Sequence, residues 1–268
     1  MNANAIILFL LSALWIVIFY PNSNFREYKM NYSQLKTDSG ADSINPIMVT
    51  VDSGSFLMSS LVATDFHQQI TLDRSHKVFL SSFKIGKYEV SQAEWKSVMG
   101  VNISLHQDCD DCPVEEVSWN DVQLFISALN KKTGRHYTLP TTAQWEFAAR
   151  GGSKDRGYRY SGSDEIDQVA WYGKEFIDKT HPVGRKLPNQ LGIYDMSGNV
   201  AELCNDWFEQ YPDMAAQTNP KGPSSGTGHI MRGGSWGNDP SQCGVLNSSI
   251  IYPNDRNAHL GFRLVLLP

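Results

Sequence analysis

A chain of 268 residues with 41% hydrophobic and 19% charged residues is long enough to bury a sizeable core, as one large domain or two small ones. Its net charge of -5 provides no basic footprint, which argues against nucleic acid as a partner. The 21 Gly and 12 Pro point to a loop-rich fold, and seven Trp with eleven Tyr suit its core or a recognition surface, because aromatic rings bury much area at little rotamer cost.

Ala5 to Tyr20 is apolar apart from Ser12 and is closed by Pro21. That length is short for a membrane-spanning helix and near that of a signal h-region. No basic residue precedes it, and no cysteine for lipid attachment lies near its end. Residues 1–20 are read as a signal or uncleaved anchor, which would leave the remainder membrane-anchored or exported, in the periplasm or at the cell surface. Arg26, Lys29 and Lys36 follow the segment and oppose an outward C-terminus under the positive-inside rule. Residues 21–46 are polar without sustained periodicity and are expected as a tether to a domain spanning 47–268.

That domain opens on Ile47-Met48-Val49-Thr50-Val51, a β-rich run, and the alternation of Phe79 to Gly86 predicts a second strand. Three helices follow, each marked by its cap. Ser91-Gln92-Ala93-Glu94 has capping-box spacing and Gly100 ends the helix. Ser118 opens the next, where Val122, Phe125, Ile126 and Leu129 form one apolar face before Gly134. Thr141 or Thr142 caps the third, which carries Trp145, Phe147, Ala148 and Ala149 to Gly151-Gly152. Beyond Arg150 the pattern turns to short strands and long loops, which gives an α+β class with no doubly wound sheet and no internal repeat. Of the four cysteines, Cys109 and Cys112 suit a local disulfide or two idle thiols, since no second CxxC or paired histidines support zinc. No Ser-His-Asp arrangement, phosphate loop or glycosidase carboxylate pair can be singled out.

Five segments then add together: Phe83 to Ser91, Pro113 to Trp119, Leu139 to Arg150, Gly192 to Glu202, and the close Arg232-Gly233-Gly234-Ser235-Trp236 with Gly261-Phe262-Arg263. In this order they resemble the sulfatase-modifying-factor, or formylglycine-generating enzyme, family over residues 47–268. The resemblance implies a C-type-lectin-like fold with little regular secondary structure. It also implies, for the enzymes, oxidation of a peptide cysteine with oxygen and a copper ion between two thiolates. Here those positions hold Asn238 and Cys243. An amide does not replace a soft anionic sulfur, so copper is not expected and Cys243 is catalytic only under the alternative of a divergent oxidase. Cys204, weighed as a substitute ligand, reads better as a buried thiol. Asp195-x-x-Gly198-x-Val200-x-Glu202 matches the family's calcium loop and implies Ca2+ on two carboxylates and two carbonyls. Otherwise Asp195 and Glu202 would satisfy backbone donors or meet Arg232. His181 beside Pro182 reads as a turn residue, Trp145, Trp171, Trp207 and Trp236 as core, and Arg232 and Arg263 as structural partners of acids.

The same C-terminal segment also resembles the variable proteins of diversity-generating retroelements, whose frame W-x3-P-x2-C-x9-P-x2-R-x4-G-F-R is met by Trp236, Pro240, Cys243, Pro253, Arg256, Gly261, Phe262 and Arg263. That resemblance implies ligand-facing positions at Gly237, Asn238, Asp239, Ser241, Gln242, Gly244, Leu246, Ser248, Ser249, Ile250, Ile251, Asn254, Asn257, Ala258 and His259. Ile250, Ile251 and Tyr252 are expected as exposed anchors beside adaptable Asn and Ser. The reading that follows is a non-catalytic protein that binds a protein or cell-surface ligand through residues 237–259. A structural component of an envelope complex is a further alternative.

Overall fold

The computed structural model describes residues 45–65, 68–174, 179–209 and 213–267; the expected signal or anchor segment and all of the expected tether but its last two residues lie outside them. Among the described residues no helix is long and apolar enough to cross a membrane.

Eleven strands are described: β1 (Met48–Val51), β2 (Gly54–Asp65), β3 (Gln68–Leu80), β4 (Phe83–Gly86), β5 (Tyr137–Thr138), β6 (Ala201–Trp207), β7 (Gln217–Thr218), β8 (His229–Arg232), β9 (Ser248–Ile251), β10 (Leu260–Gly261) and β11 (Val265–Leu266). They form three small sheets, ordered β1-β4-β11-β5, β10-β6-β8-β9 and β2-β3-β7. The first sheet closes the two ends of the domain on each other, because β11 pairs antiparallel with β4, Val265 opposite Ile85. The run from Phe79 to Gly86, expected as one strand, is two. β3 ends at Leu80, and after Ser81-Ser82 the chain enters a different sheet at Phe83. Asn219 fixes that corner, its Oδ1 accepting from Ser81 N at 2.8 Å.

The three main helices lie where their caps put them. α1 (Gln92–Met99), α2 (Trp119–Thr133) and α3 (Thr142–Ala149) each open on a complete capping box, from Ser91, Ser118 and Thr141. Gly100 and Gly134, both left-handed, end the first two. The periodic face of α2 buries Val122, Phe125, Ile126 and Leu129 against α1 and the C-terminal strands. At its centre Trp95 stacks on Phe125 at 5.1 Å, and Phe262 meets both rings edge-on at 6.2 and 5.4 Å. Such pairs add about 0.5–1.5 kcal/mol each beyond area burial. A second core gathers Val51, Val78, Ile85, Trp145, Phe147, Met196 and Val265. Cys109 and Cys112 are joined as a disulfide, and carbonyls of that loop cap α1 by accepting from Gln92 N (2.8 Å) and Ala93 N (3.0 Å).

Asp206 near the end of β6 ties the start of α3, its Oδ2 accepting from Thr142 N at 2.9 Å. Burial pushes its carboxyl up to about 7 from 3.8, the Thr142 N–H opposing the rise. A carboxyl raised on folding lends stability below its unfolded pKa and loses it as pH climbs through the folded one. Stability is therefore expected to fall between about pH 4 and pH 7, by up to about 4 kcal/mol from this group. Asp206→Asn keeps the acceptor for Thr142 and should flatten the urea midpoints across that window. An undiminished slope in the variant would assign the dependence elsewhere.

Candidate functional site

The frame positions are tied down one by one. Trp236 Nε1 donates to the Ala258 carbonyl at 2.9 Å, and its ring lies 4.1 Å from that of His259. Pro240 opens a 3-10 turn through Gln242, after which Cys243 is fully buried among Tyr160, Val169, Ala170 and Tyr172. The Pro253 carbonyl accepts from Asn120 N at 3.2 Å. Arg256 grips both oxygens of Asp121 at 2.7 Å, and Asp121 is the residue that completes the cap of α2. Gly261 admits no side chain, since a Cβ there would lie 2.7 Å from both the Val114 carbonyl oxygen and Val200 Cγ2. Phe262 and Arg263 are fully buried.

Between these anchors the expected ligand-facing residues divide. Gly237, Asp239, Ser241, Gln242, Leu246, Ser249 and Asn254 are exposed, and Asn238, Ser248, Ile250, Asn257, Ala258 and His259 are half-buried. Gly244 and Ile251 are buried, which corrects their expected exposure. Ile251 sits at the inner end of β9 opposite His229 and joins the first core. Tyr252 is 45% exposed, as expected. Several polar members serve the turns themselves: Asn254 accepts from Asn120 (2.7 Å), Gln242 accepts from Asp239 N (3.2 Å), and Asn257 accepts from His259 N (2.9 Å).

Asn238, at the first copper position of the enzymes, closes a turn. Its Oδ1 accepts from Ser235 N at 2.9 Å and Ser235 Oγ at 2.7 Å, and its carbonyl accepts from Gly173 N at 2.8 Å. Cys243, at the second, has its thiol pushed up to about 12, mainly by burial. Burial likewise raises Cys204, which is fully enclosed in the second core as a small apolar residue. Neither sulfur is a thiolate at neutral pH. Ellman's reagent is therefore expected to find no reactive thiol in the folded protein and both free cysteines after unfolding in urea; rapid labelling of the native protein at Cys243 would contradict this packing.

The expected calcium loop is built from left-handed backbone: Asp195 (φ 57°), Gly198 (φ 78°) and Asn199 (φ 60°). At Gly198 a side chain would run into the Trp171 carbonyl, so only glycine serves both demands. Glu202 meets Arg263 rather than Arg232. Arg263 Nε and Nη2 donate to its two oxygens at 2.6 Å, and Trp145 Nε1 donates to Oε2 at 2.7 Å. Arg232 instead pairs with Glu146 at 2.6 Å. Asp195 Oδ2 accepts from Gly184 N at 2.6 Å, whereas its Oδ1 is buried with no hydrogen-bond partner. Glu89, buried beside them, accepts from Asn199 Nδ2 (2.6 Å) and Val200 N (3.1 Å), and burial raises its carboxyl well above the usual range. Three buried carboxylates thus surround one guanidinium. An unsatisfied acceptor and an excess of negative charge fit a divalent cation, although Glu202 is already engaged on both oxygens. Among the described residues no group of three or more His, Cys, Asp or Glu is arranged to hold a metal ion; the expected loop relies on two carboxylates and two carbonyls.

Glu89 was beyond local reading, since it lies 110 residues from its partner Asn199. So was the Trp171–His181 stack, centroids 3.7 Å apart, which flanks the Gly173–Asn238 contact with Lys186 Nζ 4.2 Å over the Trp171 ring.

Residues 34–267 match the model of the sulfatase-modifying factor enzyme 1-like domain. A chaperone protein LppX of Paenibacillus barcinonensis is 32% identical, covering 82% of this chain and 88% of that one. A formylglycine-generating enzyme of Thermomonospora curvata is also 32% identical, over 67% of this chain but 63% of the enzyme. Among solved structures, Treponema denticola variable protein 1 superposes with a TM-score of 0.74 at 30% identity, over 82% of this chain and 95% of that one.

Proposed function

We propose that this chain, which belongs to the family of the sulfatase-modifying factor enzyme 1-like domain, is a non-catalytic member that binds a protein or cell-surface ligand through the exposed positions of residues 237–259. The observation that carries the reading is the division just described. Every frame residue is buried or anchored, and the side chains between them include solvent-facing Ser241, Leu246 and Ser249, which hold no turn among the described residues. Such a surface can change composition without unfolding its scaffold. Leu246 and Tyr252, 39% and 45% exposed, supply apolar and aromatic anchors among small polar neighbours. The likeness to a variable protein supports the same use of the fold.

The enzymatic alternative rests on the likeness to formylglycine-generating enzymes. It lacks one thiolate at Asn238 and meets a buried, protonated thiol at Cys243. Anaerobic Cu(I) titration with a cysteine-containing peptide, then exposure to oxygen and mass spectrometry, separates the two. We expect no formylglycine; tight 1:1 copper binding with turnover would overturn the reading. Sequencing the DNA downstream tests the diversified form of the proposal, which requires a near-copy of the last ~40 codons and a reverse transcriptase.

Two further parts of the reading are structural. Residues 1–20 hold the protein at a membrane or direct its export, so the domain meets its ligand outside the cytosol. Ca2+ occupies the loop of Asp195, Gly198, Val200 and Glu202 and neutralises the buried carboxylates, acting as scaffold and not in chemistry. Calcium should then raise the melting temperature over that in EGTA, by several degrees at saturation, and Asp195→Asn should remove the effect. Equal melting in calcium and EGTA would rule the ion out.

A further inference from the structure

A cleft of about 350 Å3 lies apart from the display loop, between the Tyr88–Ser91 segment, the first turn of α1, the disulfide loop and the turn at Val183 to Arg185. Its size falls in the range of small-molecule sites. Its walls are fixed before any ligand arrives: the Asp111 carbonyl accepts from Val183 N at 3.0 Å, the disulfide closes the loop that carries Asp111, and the Tyr88 ring packs on Tyr194 at 5.2 Å.

Its charges are arranged unusually. Arg185, Glu94 and Asp111 all line it, yet no two of them approach within the 4.0 Å of an ion pair, and Arg185 has no such partner among the described residues. Glu94 uses only Oε2 in its cap, accepting from Ser91 N (2.8 Å) and Oγ (3.2 Å). Ile47, Val183 and Leu264 supply an apolar stretch of wall, beside Tyr88, Ser91 and Glu89. Opposite charges lining one preformed cleft without meeting leave room for a molecule that carries both signs. A simple anion would face the carboxyl groups of Glu89, Glu94 and Asp111, and a simple amine would leave the guanidinium unmatched. In either case one charge of the cleft keeps only water as its partner and adds no charge-assisted contact to the ligand.

We propose that this cleft binds a small zwitterion, an α-amino acid with an apolar side chain. Its carboxylate meets the guanidinium of Arg185, its ammonium lies against Glu94 and Asp111, and its side chain rests on Ile47, Val183 and Leu264.

Calorimetric titration of the full chain with L-leucine, N-acetyl-L-leucine and L-leucinamide tests this. L-Leucine should bind, and each blocked form should bind at least about tenfold more weakly, because each loses one charged contact. Arg185→Gln should weaken L-leucine by a similar factor and leave L-leucinamide, which has no carboxylate, unchanged. Asp111→Asn should act in the converse sense, sparing N-acetyl-L-leucine. Glu94 is left intact because it completes the cap of α1. No heat from L-leucine up to about 10 mM, or blocked forms that bind as tightly as the free amino acid, would overturn the proposal. An unaltered melting temperature in both variants keeps the comparison free of folding effects, since both side chains stand at the surface.

Discussion

Arg263→Ala is expected to destabilise the domain by about 3–5 kcal/mol, a fall in melting temperature of roughly 10 °C for a chain of this size. Arg263 and Glu202 are both fully buried, so removing the guanidinium leaves a carboxylate with no counter-charge. The same side chain also donates to the carbonyls of Gly86 (3.0 Å) and Tyr194 (2.9 Å), joining β4 to the loop before β6. Those two acceptors lose this donor in the variant, and the Gly86 carbonyl does so in a buried setting. Replacing both members, Arg263→Met with Glu202→Leu, should recover a substantial part of the loss, because a buried pair repays its desolvation only narrowly. Urea denaturation of the two singles and the double checks this. A cost below about 1 kcal/mol for Arg263→Ala would mean that the pair does not hold the C-terminal strands.

How legible this was in the sequence varied with the range of the interactions. Helix starts were legible because a capping box is written in four consecutive residues, and Ser91, Ser118 and Thr141 all close theirs. The α+β class followed from helices first and short strands later. Strand boundaries were not legible where the chain changes sheets, as at Ser81-Ser82, since the alternation of Phe79, Phe83 and Ile85 continues across the corner. Within the loop, Ile250 and Ile251 look alike in composition. Their fates are set by the two-residue period of β9, which turns Ile251 inward against His229 and leaves Tyr252 outside. The basic partner weighed for Glu202 was Arg232; Arg263, 61 residues away, takes that place. Arg185 and the cleft it lines had no local signature, because α1, the disulfide loop and the 183–185 turn meet only in the folded chain.

The division between frame and surface makes its own demand on stability. Gly261→Ala is expected to cost about 3 kcal/mol or more, since the new methyl meets the Val114 carbonyl and the Val200 side chain at 2.7 Å. Neither neighbour yields easily: Val114 N donates to the Val90 carbonyl at 2.9 Å, and Val114 is fully buried. Combined replacement of Ser241, Leu246, Ser249 and Tyr252 by alanine should stay within about 1 kcal/mol of the parent, because surface side chains away from caps and cores seldom contribute more. The two variants lie on one segment of about twenty residues, so a difference between them isolates burial from position. If the fourfold variant unfolds as readily as Gly261→Ala, those side chains hold the fold, and a surface free to vary for a ligand is no longer tenable. If it matches the parent in urea, the loop satisfies the first requirement of a display surface, that its exposed residues carry no share of the stability that Trp236, Arg256 and Arg263 secure beneath them.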